Sequence, residues 1–193
     1  MSDTLRKVAG SLVLVGAAQF IVGMILAEVL YSGYNVADNY ISDLGVGPSA
    51  LIFNSSIFLF GLTVVAASYC IWRILGEKLF TKLFMILFFL AGIGVMGVGI
   101  FTEDAGVIHT IVSFIAFFFG GLSAIAAYKL EKPPLNYISI IMGIITLTAL
   151  VLFGTKNFLG LGQGGMERMI AYPLVLWAIS FGGYLIGSED KKT

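Results

Sequence analysis

Asp38-Asn39-Tyr40-Ile41-Ser42-Asp43-Leu44-Gly45 is a polar island lying between two long apolar stretches, and charge is absent from residues 8–27 before it and 44–72 after it. The chain has 193 residues, of which 59% are hydrophobic and 11% charged, so two carboxylates within one short segment stand out. An ordinary soluble domain carries about 25% charged residues. Four further charge-free runs cover 83–102, 105–128, 133–155 and 169–188. Each of the six reaches the roughly 20 residues that a helix needs to cross a hydrocarbon layer. Only a helix or a closed barrel satisfies its backbone polar groups there, and runs of this length are helical. With a mean hydropathy of +1.00, the chain reads as all-α, a single integral membrane domain over 1–193. The expected spans of this six-helix transmembrane bundle are about 8–30, 49–73, 81–101, 105–128, 135–154 and 166–187.

Formal neutrality conceals an asymmetry. Arg6, Lys7, Arg73, Lys78, Lys82, Lys129, Lys132, Lys191 and Lys192 fall at one set of helix ends, and only Lys156 and Arg168 at the other. Basic residues flanking spans stay on the cytoplasmic side. Both termini are therefore expected in the cytoplasm, in a multi-pass protein of the cell membrane, with the island facing outward. No basic stripe beyond this bias exists, which excludes a nucleic-acid partner. Cys70 is the only cysteine, so an intrachain disulfide or thiolate cluster is excluded. The apolar run after Arg6-Lys7 is too long for a signal segment and lacks a small-residue cleavage site, so it reads as a retained first helix.

The first helix repeats Gly16, Gln19, Gly23 and Ala27 on one face, a pattern that lets membrane helices approach closely, with Gln19 bonding across helices. Glu28 ends it, either in water or within the polar site. Tyr31 and Tyr34 suit the interface. Residues 35–44 place Val36, Tyr40 and Leu44 at helical spacing, which predicts a short amphipathic helix in the first outer loop, ended by Gly45. Asn54 lies shallow in the second span and must point into the bundle. Gly92, Gly94, Gly97 and Gly99 predict tight packing of the third helix. Thr102-Glu103-Asp104 reads as a tight outer turn just before the fourth helix, whose N-terminus favours negative charge. His109 follows about one turn into the membrane, with Ser113 four residues on and on the same face. The fifth helix reads as structural, and the loop 154–165 as mobile for its glycines. Arg168 and Tyr172 share a face of the sixth.

The outer level thus gathers Glu28, Asp38, Asn39, Ser42, Asp43, Asn54, Glu103, Asp104, His109, Ser113, Lys156, Glu167, Arg168 and Tyr172. Arg168 is either a counter-ion to Asp43 or Glu103, or a fork for a phosphate or carboxylate. Zinc needs several His or Cys ligands, and one histidine argues against it. Magnesium or calcium would take oxygen ligands, which Asp38, Asp43, Glu103 and Asp104 supply. Metal-free acid–base work would pair His109 with a carboxylate and use Ser42 or Ser113 as nucleophile.

The segments Asn39-Tyr40-Ile41-Ser42-Asp43-Leu44-Gly45, Phe101-Thr102-Glu103-Asp104 with His109, and Gly165-Met166-Glu167-Arg168 with Tyr172-Pro173 and Trp177 resemble an uncharacterised family of bacterial and archaeal membrane proteins, domain of unknown function 998. That resemblance spans nearly the whole chain and implies a multi-pass architecture and little more. Ser42, Asp43 and His109 also echo part of the Ser, Asp and three-His zinc set of the superfamily holding alkaline ceramidases and adiponectin-receptor-like proteins. Two histidines and one helix of that pattern are missing here.

The expectation is an outward-facing polar pocket that binds a lipid headgroup or a small polar ligand. Asp38, Asn39, Ser42, Asn54, Asp104, Ser113, Arg168 and Tyr172 are its candidate ligand-binding residues. The alternatives are a membrane-embedded hydrolase or transferase acting on lipid through His109, Asp43 and Glu103, and a small-solute transporter. Membrane lipids are the expected partners, and self-association stays open.

Overall fold

The computed structural model describes residues 2–75 and 79–188. Lys78, Lys191 and Lys192, which entered the charge asymmetry, lie outside the described residues. Among those described, six helices are long and apolar enough to cross a membrane. They are α1 (Ser2–Leu30), α2 (Ala50–Leu75), α3 (Leu79–Ile100), α4 (Val107–Ala126), α5 (Leu135–Gly154) and α6 (Gly162–Gly187). The described chain contains no strand.

Each helix packs against its neighbours in sequence, and α6 closes back on α1 to complete a ring. On α1 the side chains of Ala9, Val13, Ala17, Phe20, Met24 and Ala27 are buried, while Val8, Val15, Val22 and Val29 are exposed. Both sets step by three, four or seven residues, the period that puts residues on one helix face. An apolar exposed face is what a lipid environment asks for, since tails solvate it without cost.

Small residues set the helix spacing. Gly92 and Gly99 face α2, and Gly94 and Gly97 face α4. A Cβ on Gly94 would lie 2.4 Å from the backbone nitrogen of Ala116, so only a hydrogen permits this approach. Gln19 ties α1 to α2 by donating to the Ser56 carbonyl at 2.8 Å.

The two ends of the bundle differ. At one, Arg6 donates to the Leu185 carbonyl and to Ser188 Oγ, both at 2.7 Å, which brings the two terminal helices together. In the adjoining half Phe84 and Phe88 of α3 meet Trp177 and Phe181 of α6 across the ring and fill its centre. At the other end, a long loop from Tyr31 to Ser49 folds over the bundle. It is built of turns followed by a 3-10 helix, Ser42–Gly45, and not of the amphipathic helix expected over 35–44. Side chains capture its backbone donors first. Asn35 Oδ1 takes the Ala37 N–H at 2.9 Å, Asp43 takes that of Tyr40 at 3.0 Å, and Glu167 takes that of Ile41. Such local bonds compete with the helical ladder.

Candidate functional site

The start of α6 is the anchor for this loop. Gly164 N–H donates to the Ala37 carbonyl at 2.9 Å, and Gln163 Nε2 to that of Asp38 at 2.7 Å. A Cβ on Gly164 would stand 1.9 Å from the Asn39 carbonyl oxygen, so the loop rests directly on helix backbone. Gly162 and Gly164 admit this close contact with the loop backbone.

Arg168 is 5% exposed and holds the loop from beneath. Nη1 donates to the carbonyls of Val36 (3.0 Å), Asn39 (3.3 Å) and Gly164 (3.0 Å). Nη2 donates to Glu28 Oε1 at 2.8 Å and to the Tyr34 hydroxyl at 2.7 Å. Its counter-ion is thus Glu28, in place of the expected Asp43 or Glu103. The guanidinium is committed to internal partners and is not turned toward a ligand. The Tyr34 hydroxyl in turn donates to the Tyr40 carbonyl at 2.7 Å. Burial, chiefly, pushes the Tyr34 hydroxyl up to about 12.

Beneath the loop, in the half of the ring away from the phenylalanine–tryptophan cluster, is a cavity of about 70 Å³. By the ~10–15 Å³ that one water requires, it has room for on the order of five or six small groups. Five helices contribute to its wall, α5 being the exception. Phe20, Phe53, Phe60 and Phe117 and several aliphatic side chains make most of it apolar. Polar groups enter from four residues at the loop end: Ser42, His109, Ser113 and Glu167.

His109 and Ser113 form a defined pair. His109 Nδ1 lies 2.8 Å from the Phe101 carbonyl oxygen, which can only accept, so Nδ1 carries the proton. In the neutral ring Nε2 is then the acceptor, 3.3 Å from Ser113 Oγ, and the serine hydroxyl donates to it. The base is oriented by a backbone carbonyl, with no carboxylate behind it. Glu103 instead faces Asp43 across the loops. Burial and the Asp43 carboxyl push Glu103 up to about 7, with Glu167 and Asp104 adding like charge. The hydroxyl of Tyr40 is raised by burial and by the same neighbours, Glu167, Glu103 and Asp43.

The remaining sequence candidates divide cleanly. Asn39 spends its amide inside the loop, accepting from Asn35 N–H at 3.0 Å and donating to Asp43 Oδ2 at 2.8 Å. Asn54 does point inward, where it donates to the Gly45 carbonyl at 2.9 Å and fixes the loop's exit into α2. Asp38 and Asp104 are exposed, and Tyr172 is 38% exposed; none of the three lines the cavity. No three Asp, Glu, His or Cys side chains among the described residues gather as a metal cluster, so Asp38, Asp43, Glu103 and Asp104 do not come together as one oxygen-ligand set. Glu167 joined the outer polar set in the sequence without being chosen as a site residue. Its signal was there: Glu167, Ala171 and Leu174 share one helical face, small or apolar apart from the acid, and all three line the cavity.

The ring of apolar spans and its loop-capped cavity define a multi-pass helical membrane protein. The family described as "Protein of unknown function (DUF998)" matches residues 14–184, and the chain belongs to it. No curated protein and no solved structure matches the chain.

Proposed function

We propose that this protein is a membrane-embedded binding protein for a small amphiphile, with the ligand's polar group among Ser42, His109, Ser113 and Glu167 and its apolar part against the phenylalanines. The carrying observation is one apolar cavity whose polar groups all enter from one end. Ligand sites are commonly apolar clefts with a few convergent polar groups that set orientation. The basic residues Arg6, Lys7, Arg73, Lys82, Lys129 and Lys132 belong to the end opposite the loop cap. The positive-inside rule then puts both termini in the cytoplasm and the polar end of the cavity toward the outside of the cell membrane. Membrane lipids and their fragments are the nearest source of such amphiphiles. Extraction and mass spectrometry of the purified protein test this role, beside a cavity-filling Ala171→Leu variant that remains folded. Retention of an amphiphile by the wild type and its loss from the variant are expected; equal retention, or none in either, refutes the role.

A second role draws on the Ser113–His109–Phe101 arrangement, which has the form of an activated serine. Ser113 Oγ would attack an ester carbonyl while its proton passes to His109 Nε2 and then to the leaving alcohol; water would release the acyl group. A fluorophosphonate that labels wild type but not Ser113→Ala supports this hydrolase. An unlabelled wild type removes it.

A further inference from the structure

The charges around the cavity specify which amphiphile it takes. We infer that the ligand carries a protonated amine, bound at its nitrogen by the Glu167 carboxylate and the Ser42 hydroxyl. This rests on the binding role above and narrows it.

Glu167 is a buried carboxyl that lines the cavity, and no basic side chain among the described residues forms an ion pair with it. Arg168, its neighbour in sequence, acts on Glu167 through space only, its guanidinium being turned to Glu28 and the loop carbonyls. A buried carboxylate is costly unless a cation or hydrogen-bond donors compensate it. The backbone N–H groups of Ile41 and Ser42 supply such donors and leave acceptor capacity unused. Ser42 is 8% exposed, lines the same cavity, and its hydroxyl has no hydrogen-bond partner among the described residues. A buried hydroxyl at the polar end of the cavity, without a partner among the described residues, is available to a ligand.

The ligand's charge follows from what surrounds these two groups. Asp43 and Asp104 add negative charge on the loop side, with Glu103 ionised in part at neutral pH. The hydroxyl oxygens of Ser42 and Ser113 offer acceptors, His109 Nε2 being occupied by the Ser113 hydroxyl. No lysine or arginine lines the cavity. A phosphate or carboxylate headgroup would meet repulsion without a counter-ion. An ammonium group, by contrast, has three donors for oxygen acceptors, and aromatic rings such as Phe53 and Phe117 tolerate a cation at their faces. The cavity's size limits the apolar part to a short chain.

Three probes of nearly equal size and different charge test this: n-hexylamine, n-hexanol and pentanoate. Each is titrated calorimetrically at neutral pH into the full-length protein in lipid nanodiscs, with empty nanodiscs as the blank. Hexylamine is expected to bind roughly tenfold or more tighter than the other two, the scale of one charge-assisted contact. In Glu167→Gln, which keeps an oxygen to accept from Ile41, the amine is expected to fall to the level of the alcohol. Alcohol or carboxylate binding as tightly as the amine overturns the amine assignment and leaves the binding role standing. Binding of none of the three overturns both. Because the three probes are compared in the wild type, the result does not depend on how the variant folds. A folded Glu167→Gln that keeps the amine preference overturns the assignment to Glu167.

Discussion

Replacing Arg168 with methionine removes the charge and the fork of donors while keeping much of the side-chain volume. Five hydrogen bonds disappear, three to carbonyls, one to Tyr34 and one to Glu28. Removing one partner of a buried ion pair costs about 3–5 kcal/mol, because the other charge is left uncompensated. Here the abandoned partner is Glu28, whose side chain is 23% exposed against 5% for Arg168. Water can reach Glu28, so the lower figure applies, about 3 kcal/mol. At ~2–4 °C per kcal/mol for a chain of this size, the unfolding midpoint should fall by about 6–12 °C. The assay is thermal unfolding in a fixed detergent, followed by intrinsic fluorescence. Adding Glu28→Gln should return at least ~1 kcal/mol of the loss, since coupled pairs show interaction energies of ~0.5–3 kcal/mol. A single variant melting within ~2 °C of wild type would refute the claim that Arg168 holds the loop, because that is under ~1 kcal/mol.

Gly164→Ala should destabilise by about 1–3 kcal/mol in the same assay, because the new methyl meets loop backbone that cannot yield. Gly187→Ala, which has nothing within 4 Å of its new carbon, should stay within ~0.5 kcal/mol and serves as the control. Glu103 is raised from 4.5 to about 7, so the folded state binds its proton more readily than the unfolded state does. That contribution is full below about pH 4.5 and lost as pH rises through about 7, so a melting profile between about pH 5 and pH 8 should be steeper in wild type than in Glu103→Gln; parallel profiles would exclude Glu103. Asp38→Cys should react with a membrane-impermeant maleimide in intact cells, Cys70 being buried and silent. Reaction only after the cells are opened would invert the orientation.

The six spans were legible because the property that fixes them, apolar length, is local. The inward face of α1 was equally legible at Gly16, Gln19, Gly23 and Ala27, which set a helical period without reference to the rest of the fold. Arg168 shows where local information runs out. Its charge marked it for pairing, but the partner, Glu28, lies 140 residues away, and only the closure of α6 onto α1 brings them together. Residues 35–44 failed for a related reason. Their apolar spacing suits a helix, but Glu167 on a distant helix claims the Ile41 N–H, and Asn35 and Asp43 claim two more. The cavity was foreseen as polar because polar residues are conspicuous in such a sequence. Its apolar wall is made of Phe20, Phe53, Phe60 and Phe117, ordinary residues for a span, which carry no mark of facing a cavity.

The placement of α5 has an evolutionary consequence. It packs on α4 and α6, contributes nothing to the cavity wall, and is the least buried of the six spans. Helix α5 therefore completes the membrane-facing perimeter without enclosing the cavity, while the other five helices do both. Ile138, Ile141, Ile144 and Val151, all exposed on α5, need only remain oily. Sequence drift within the family should concentrate on this outer face, while the cavity face of α6 changes little. A comparison of diverging relatives would then show α5 as the part of the ring where ancestry has left the fewest constraints.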